Sequence, residues 1–237
     1  MLCYDPKSYE KETTPILQII LKKKDRPVVI DVGANWGQTI FKIKYLSKHA
    51  IVHSFEAFPQ MIQCLDKIVK INKWEDVFLN NLMLGSKKGP TQIFFKKESG
   101  MDTASPLENF QPDFDSVYTA NSITLDEYVD FHKINSVTIL KIDVEGGELE
   151  VIQGAQNMLK KMKPDILLEL LYSPGERQRQ TIELLKQLGY LFYWITTNGS
   201  FIAQQEVMPD SNYKFLNYFV SRKTIDELRE LSIDVKD

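Results

Sequence analysis

Residues 28–40 read VVIDVGANWGQTI. A short apolar run ends on a carboxylate, Asp31. Two glycines and an asparagine follow, Gly33, Asn35 and Gly37, and then a stretch with helical spacing. An apolar run of this length closed by a glycine turn is of buried-strand type, and the periodic segment after it is a helix. Strand, turn and helix in this order open a βαβ unit, whose ligands sit at the carboxyl ends of the strands. Gly33 and Gly37 omit side chains where a ligand approaches the backbone and where helix meets strand. The next strand, AIVHSFEA (50–57), carries Glu56 at its end. That is where an acidic residue meets ribose hydroxyls in dinucleotide folds.

The turn reads D-V-G-A-N-W-G. It lacks the middle glycine of G-x-G-x-x-G, the turn that offers backbone amides to a pyrophosphate. A carboxylate ahead of the turn attracts an ammonium and repels a pyrophosphate. A nucleoside carrying an amino acid suits both ends, so the expected cofactor is S-adenosylmethionine, with its ammonium near Asp31 and its ribose on Glu56.

Working outward, residues 8–24 read as a lead-in helix with a basic end. After 28–31 and 50–57, a helix starts at Pro59, and VFLNNLML (77–84) and TQIFFKK (91–97) are further strands. Residues 98–119 are rich in Ser, Asp and Pro without a period, and read as a long loop of the kind that forms lids and binding loops. Thr124 and Glu127 form a capping-box pair for the helix 125–132. A strand at 137–143, a helix at 145–162, a strand at 164–170, a helix at 175–188 and strands near 191–196 and 215–221 complete the pattern. Alternating strands and helices predict a parallel sheet. The last two strands are joined without a clear helix, which predicts an antiparallel hairpin at the sheet edge. The expectation is a single α/β domain with one reversed strand.

The 237 residues, 43% hydrophobic, supply a sizeable core. A net charge of −3, from 29 basic and 32 acidic residues, shows no bulk basic excess, so nucleic acid is not the expected partner. Cys3 and Cys64 fit neither a disulfide framework nor a zinc spacing. No apolar run reaches the roughly 18 residues of a membrane span, and the charged first residues do not read as a signal peptide. The expectation is a cytoplasmic protein with no integral membrane segment.

The segments VVIDVGANWGQTI, VHSFEAFPQ and ITLDEY…VTILKIDVEGGELEVIQGA (123–155) together resemble the FkbM family of S-adenosylmethionine-dependent methyltransferases. The family pattern is a D-x-G-A-N-x-G turn, an F-E-P strand end, an L-D helix start and a K-x-D-x-E-G-x-E junction. Lys141, Asp143, Glu145, Gly146 and Glu148 match the junction; Glu169 matches a later strand end, and Asn217-Tyr218-Phe219 a closing strand. In Phe55-Glu56-Ala57 the usual proline is an alanine, with Pro59 two residues after it. The resemblance implies a Rossmann-like methyltransferase fold: a seven-stranded, mostly parallel sheet in the order 3-2-1-4-5-7-6, strand seven antiparallel, with helices on both faces. The resemblance covers roughly residues 28 to 221, and the expected organisation is an N-terminal lead-in helix within 1–24 followed by the methyltransferase domain at 25–237.

Methyl transfer from a sulfonium needs an aligned acceptor and, for a hydroxyl, a group that takes its proton. Asp143, Glu145 and Glu169 stand at neighbouring strand ends and are the candidate catalytic carboxylates, with Glu169 the second-choice base. A single-carboxylate base is expected rather than a metal site, since no histidine sits in the junction. Glu148, in the first turn of its helix, needs no role beyond the helix dipole. The expected cofactor residues are Asp31, Gly33, Asn35, Gly37, Glu56 and Asp143, with Asn81 and Leu82 at the adenine. Ser99, Asp102, Thr103 and Ser105 in the long loop are candidate contacts, and Tyr172 a candidate for the acceptor pocket. By the resemblance, the expected reaction is O-methylation of a sugar, glycan or related metabolite. Two rivals are an NAD-linked oxidoreductase or epimerase, and a non-catalytic scaffold of the same fold.

Overall fold

The apolar run at Val28 lies near the middle of a nine-stranded sheet. The computed structural model describes residues 9–97, 104–170, 176–207 and 217–236. A 3-10 turn (Lys11–Thr13) leads into α1 (Thr14–Lys22), which has a proline in its first turn, where a missing N–H costs nothing. Two strand–helix units follow: β1 (Val28–Val32), α2 (Gln38–Leu46), β2 (Ile51–Phe55) and α3 (Pro59–Asn72), ending on β3 (Val77–Asn80). Then come β4 (Met83–Leu84), β5 (Gly89–Phe95), β6 (Ser116–Ile123) and α4 (Leu125–Phe131). The second half contains β7 (Ile139–Ile142), α5 (Glu148–Gln153), α6 (Gln156–Met162), β8 (Asp165–Glu169) and α7 (Glu176–Gln187). It closes with β9 (Leu191–Ile195), β10 (Phe201–Gln204), β11 (Asn217–Ser221), α8 (Ile225–Glu230) and β12 (Val235–Lys236).

The main sheet runs β12-β10-β9-β11-β8-β7-β1-β2-β3. From β8 to β3 every pair is parallel, while β11 is antiparallel to both β8 and β9. The α/β class and the reversed strand are as expected. The strand count and the full order are not: β10 and β12 extend the edge beyond seven strands. Successive residues of β1 feed opposite faces, as a pleated strand requires. Val29 packs into a core with Ile16, Leu17, Leu21, Ile40 and Ile43 of α1 and α2. Ile30 packs into the other with Tyr128, Val129, Val151 and Ile152 of α4 and α5. α1 is thus part of the buried core. No described helix is long and apolar enough to cross a membrane.

Three element expectations need correction. The strand 77–84 is two strands in different sheets, because the chain leaves the main sheet at Asn81 and Leu82. The helix 145–162 is two helices, broken at Gly154. The loop 98–119 ends in a strand: β6 begins at Ser116 and pairs antiparallel with β5 in a second sheet of order β4-β6-β5. Its inward residues include Ala120 and Ser122, too small or polar to write an apolar alternation into the sequence.

Candidate active site

The carboxyl ends of β8, β7, β1 and β2 border one cavity of about 310 Å³, within the range of small-molecule sites. From Glu169 on β8 to Glu56 after β2 is three strand steps, roughly 14 Å. The second sheet closes the Glu56 side, where Phe58, Leu82 and Ile93 give apolar wall.

The turn after β1 is built for close approach. Gly33 has φ +84, and a Cβ there would stand 1.9 Å from the Asp143 carbonyl oxygen. Asn35 is also left-handed, at φ 46. Its backbone N–H donates to Glu56 Oε2 at 2.9 Å, and the Phe58 N–H donates to Oε1 at 2.9 Å. Turn and acid therefore form one unit, with Glu56 fixed at both oxygens. Burial raises the Glu56 pKa above the usual carboxylate range, against the pull of those N–H groups. Gly33, Asn35, Glu56 and Leu82 line the cavity, as do Asp143, Glu145 and Glu169.

Three expected cofactor residues do not line it. Asp31 is fully buried, because β1 continues through Val32 and leaves the carboxylate one residue short of the strand end. Ser54 Oγ donates to its Oδ2 at 3.2 Å, and Oδ1 has no hydrogen-bond partner among the described residues. Burial pushes Asp31 up to about 6. Its carboxylate therefore lies behind the cavity wall, one residue short of the edge where the ligand ammonium is expected. Gly37 serves packing: a Cβ would come within 2.6 Å of Leu65 Cδ2 on α3. Asn81 donates its amide nitrogen to the Glu56 and Ala57 carbonyls, at 3.0 and 2.8 Å, and so braces the Glu56 turn from outside the cavity lining.

The junction after β7 concentrates charge. Lys141, buried within the sheet, pairs across it with Asp31 and donates to Asp143 Oδ2 at 2.8 Å. Burial opposes ionisation of Asp143, but Lys141 and a hydrogen bond shared with Glu169 outweigh it and bring its pKa below the usual value. Burial and the same pairing push Glu169 up to about 10. Asp143 is thus the ionised member and Glu169 the protonated one. Glu145 stands in left-handed backbone, φ 50, and Gly146 follows at φ 96. Burial, then the charges of Asp143 and Glu148, push Glu145 up to about 7. Glu148 does not line the cavity. Its Oε1 accepts the Gly146 N–H at 2.9 Å in the first turn of α5, as a helix-terminal anion does, and burial raises it to about 7.

Ser105 is buried and its hydroxyl donates to the Glu145 carbonyl at 2.6 Å, so it props the junction and does not face the cavity. Ser99, Asp102, Thr103 and Tyr172 lie outside the described residues. His53, in β2, does not line the cavity: it bonds the Tyr128 hydroxyl at 2.9 Å and stacks on Phe78. Sequence reasoning missed Tyr9, which lines the cavity from the N-terminal turn, where no motif announces it. Among the described residues no cluster of metal-ligating side chains occurs.

The model of the FkbM methyltransferase domain matches residues 31–192, more than half of the chain. The chain belongs to the FkbM methyltransferase family. It is an S-adenosylmethionine-dependent methyltransferase, which sets the oxidoreductase reading aside. No curated protein matches it significantly in sequence. Among solved structures it is similar to a protein assigned as an rRNA methylase from Clostridium thermocellum, at 12% identity and TM-score 0.54, covering 90% of this chain and 95% of the other. It is also similar to a protein assigned as a methyltransferase from Streptococcus mutans, solved with SAH, at 8% identity and TM-score 0.50, covering 93% and 99%. At these identities the likeness speaks for the fold.

Proposed function

We propose that this FkbM-family enzyme methylates a hydroxyl of a sugar, glycan or related metabolite, with Glu145 as the base. The observation that carries the reading is the meeting of three carboxyl groups, Asp143, Glu145 and Glu169, at one end of a cavity whose other end is apolar. S-adenosylmethionine supplies a methyl already activated on a sulfonium. The residues present fit it. Glu56, clamped by two N–H groups, keeps free lone pairs for ribose hydroxyls. The Gly33–Asn35 turn lines the cavity beside Asp143, on the side where the amino-acid part would lie. Leu82, Phe58 and Ile93 provide flat apolar contact for adenine.

Asp143 is the anion suited to the cationic end, because Lys141 keeps it ionised. Glu169, protonated, donates a hydrogen bond and holds Asp143 in place. Glu145 has a pKa of about 7, which makes it, of the three carboxyls gathered at this end, the one balanced between accepting and releasing a proton near neutrality. A hydroxyl acceptor needs that service, since its proton must leave as the new O–C bond forms. The carboxyl-rich rim also suits an acceptor with many hydroxyl donors, such as a saccharide. The test is mass spectrometry of glycans and small metabolites from cells with the wild-type gene and with a Glu145→Gln allele. A CH2 mass difference located on a saccharide or metabolite oxygen is expected. A difference located on nitrogen or carbon overturns O-transfer.

A further inference from the structure

The N-terminal turn is fastened to the sheet more firmly than coverage of apolar surface requires. α1 alone buries Ile16, Leu17, Ile20 and Leu21. Ahead of it, Glu10 takes a left-handed conformation, φ 40 and ψ 50, which is rare for a residue with a side chain. Three groups hold it there. Lys42 Nζ donates to the Glu10 carbonyl at 2.8 Å and to Thr13 Oγ1 at 2.9 Å, and the Thr13 N–H and hydroxyl both donate to the same carbonyl at 2.9 Å. Asn217 at the start of β11 donates to Glu12 Oε1 at 3.2 Å. The result aims the Glu10 carboxylate inward, 3.3 Å from Lys141 Nζ, with its side chain only 12% exposed. Tyr9 lies beside it, its ring centroid 5.6 Å from Lys42 Nζ and 5.9 Å from Lys141 Nζ, and reaches the cavity wall.

Lys141 therefore divides one positive charge among carboxylates from three places: Asp143 on its own strand end, Asp31 across the sheet on β1, and Glu10 on the N-terminal turn. Asp143 and Lys141 alone balance to zero, and Asp31 and Glu10 each add negative charge to the group, with Lys42, bonded to the Glu10 carbonyl, the next cation outward. Glu10 is the added carboxylate in ion-pair reach of Lys141, at 3.3 Å. We propose that Glu10 is a positioning residue which, by occupying Lys141, keeps the Asp143 end of the cavity negative and so selects the cationic sulfonium of S-adenosylmethionine over the neutral thioether of S-adenosylhomocysteine. The inference rests on the sulfonium lying beside Asp143, as proposed above. In such a site the spent cofactor is released more readily than the fresh one is.

The test is calorimetric titration of the full chain with S-adenosylmethionine and with S-adenosylhomocysteine, for wild type, Glu10→Gln and Asp143→Asn. Glu10→Gln keeps size and hydrogen bonding but removes the charge. It should weaken S-adenosylmethionine by about three- to tenfold and leave S-adenosylhomocysteine within about twofold. Glu10→Asn removes the same charge with a residue that favours left-handed backbone, and is expected to shift the ratio in the same direction. If both Glu10 variants weaken the two ligands equally, Glu10 only anchors the turn and the proposal falls. If neither ligand changes, the charge is not felt and it falls likewise. A ratio that Asp143→Asn leaves unchanged removes the sulfonium placement itself, whereas an unchanged ratio in the Glu10 variants alone removes only the part given to Glu10.

Discussion

Glu145 occupies backbone space that side chains avoid, at a cost of order 1 kcal/mol or more. The surroundings enforce it: Ser105 grips its carbonyl, and Gly146 beside it is also left-handed, with Leu107 and Phe110 packed where a Cβ would be. A locked carboxyl with a pKa of about 7 at a cavity wall is what a general base requires. Glu145→Gln should lower kcat by about 10²- to 10⁴-fold while the Kd for S-adenosylhomocysteine stays near wild type. In the wild-type enzyme kcat should rise with pH and level off above about 7, because only the deprotonated carboxyl accepts a proton; the variant should lose that limb. Loss of ligand affinity equal to the loss in kcat would assign Glu145 to binding instead. At this scale the cavity lining by Glu56, Asp143 and Glu169 was legible because each stands at or just past the last residue of its strand, and Glu145 follows two residues after Asp143 in the same junction. Asp31 was misplaced because one more strand residue, Val32, follows it. Strand-end identity is legible in a sequence; the depth of a side chain below that end is not. Tyr9 and Glu10 were illegible for a different reason, since contacts to Lys141 more than a hundred residues away leave no local pattern.

Gly154 shows how tertiary contact rewrites an element. Its φ is ordinary, yet a Cβ would lie 2.0 Å from the Gly85 carbonyl oxygen, so α5 must end where the turn after β4 presses on it. α4 then starts the next helix from outside: Asp126 accepts the Asn157 and Met158 N–H groups at 3.0 and 2.8 Å, and its own N–H donates to the Gly154 carbonyl at 2.9 Å. The cap of α6 thus comes from a residue thirty positions upstream, which is why the periodic run 145–162 read as one helix. Asp126→Ala should cost about 1 kcal/mol, seen as a lower Tm, with S-adenosylhomocysteine affinity unchanged; a matching loss of affinity would mean that the cap also shapes the cavity. The capping box Thr124–Glu127, in contrast, was legible because all its partners are local, and it is formed with both its reciprocal bonds. The central parallel strands were legible from continuous apolar runs. The second sheet was not, because β6 presents exposed residues on one side and small ones on the other, and its partner β5 lies across a long loop.

Across the whole molecule, four acids with raised pKa values are gathered around one end of the sheet. Asp31 is pushed up to about 6, Glu145 and Glu148 to about 7, and Glu169 to about 10, in each case first by burial. Each of these folded-state values lies above that of the unfolded chain, near 4. Between the two values the folded state keeps protons that the unfolded chain has released, so stability falls as pH rises. The contribution is fully present below about pH 4 and is lost through the range of about pH 5 to 7 for Asp31, Glu145 and Glu148. Asp143 and His53 have the opposite sign, since their folded values are lowered: the Asp143 window lies in acid, below that range, while His53, lowered to about 4 by burial, offsets about one acid's share of the fall between about pH 4 and pH 6.5. Lys42, lowered to about 8 by burial, titrates above it. The Tm of the ligand-free protein should therefore drop by on the order of 5 °C or more between about pH 5 and about pH 7.5, as read by calorimetry. Saturating S-adenosylmethionine should make that decline shallower, because a bound cation at the Asp143 end favours the same carboxyls in their ionised form. S-adenosylhomocysteine, with no charge on sulfur, should raise the Tm more evenly across the range. A ligand-free Tm that stays flat or climbs over this interval would mean that the acids are solvated, and with that the electrostatic basis for a cation at this sheet edge would be gone.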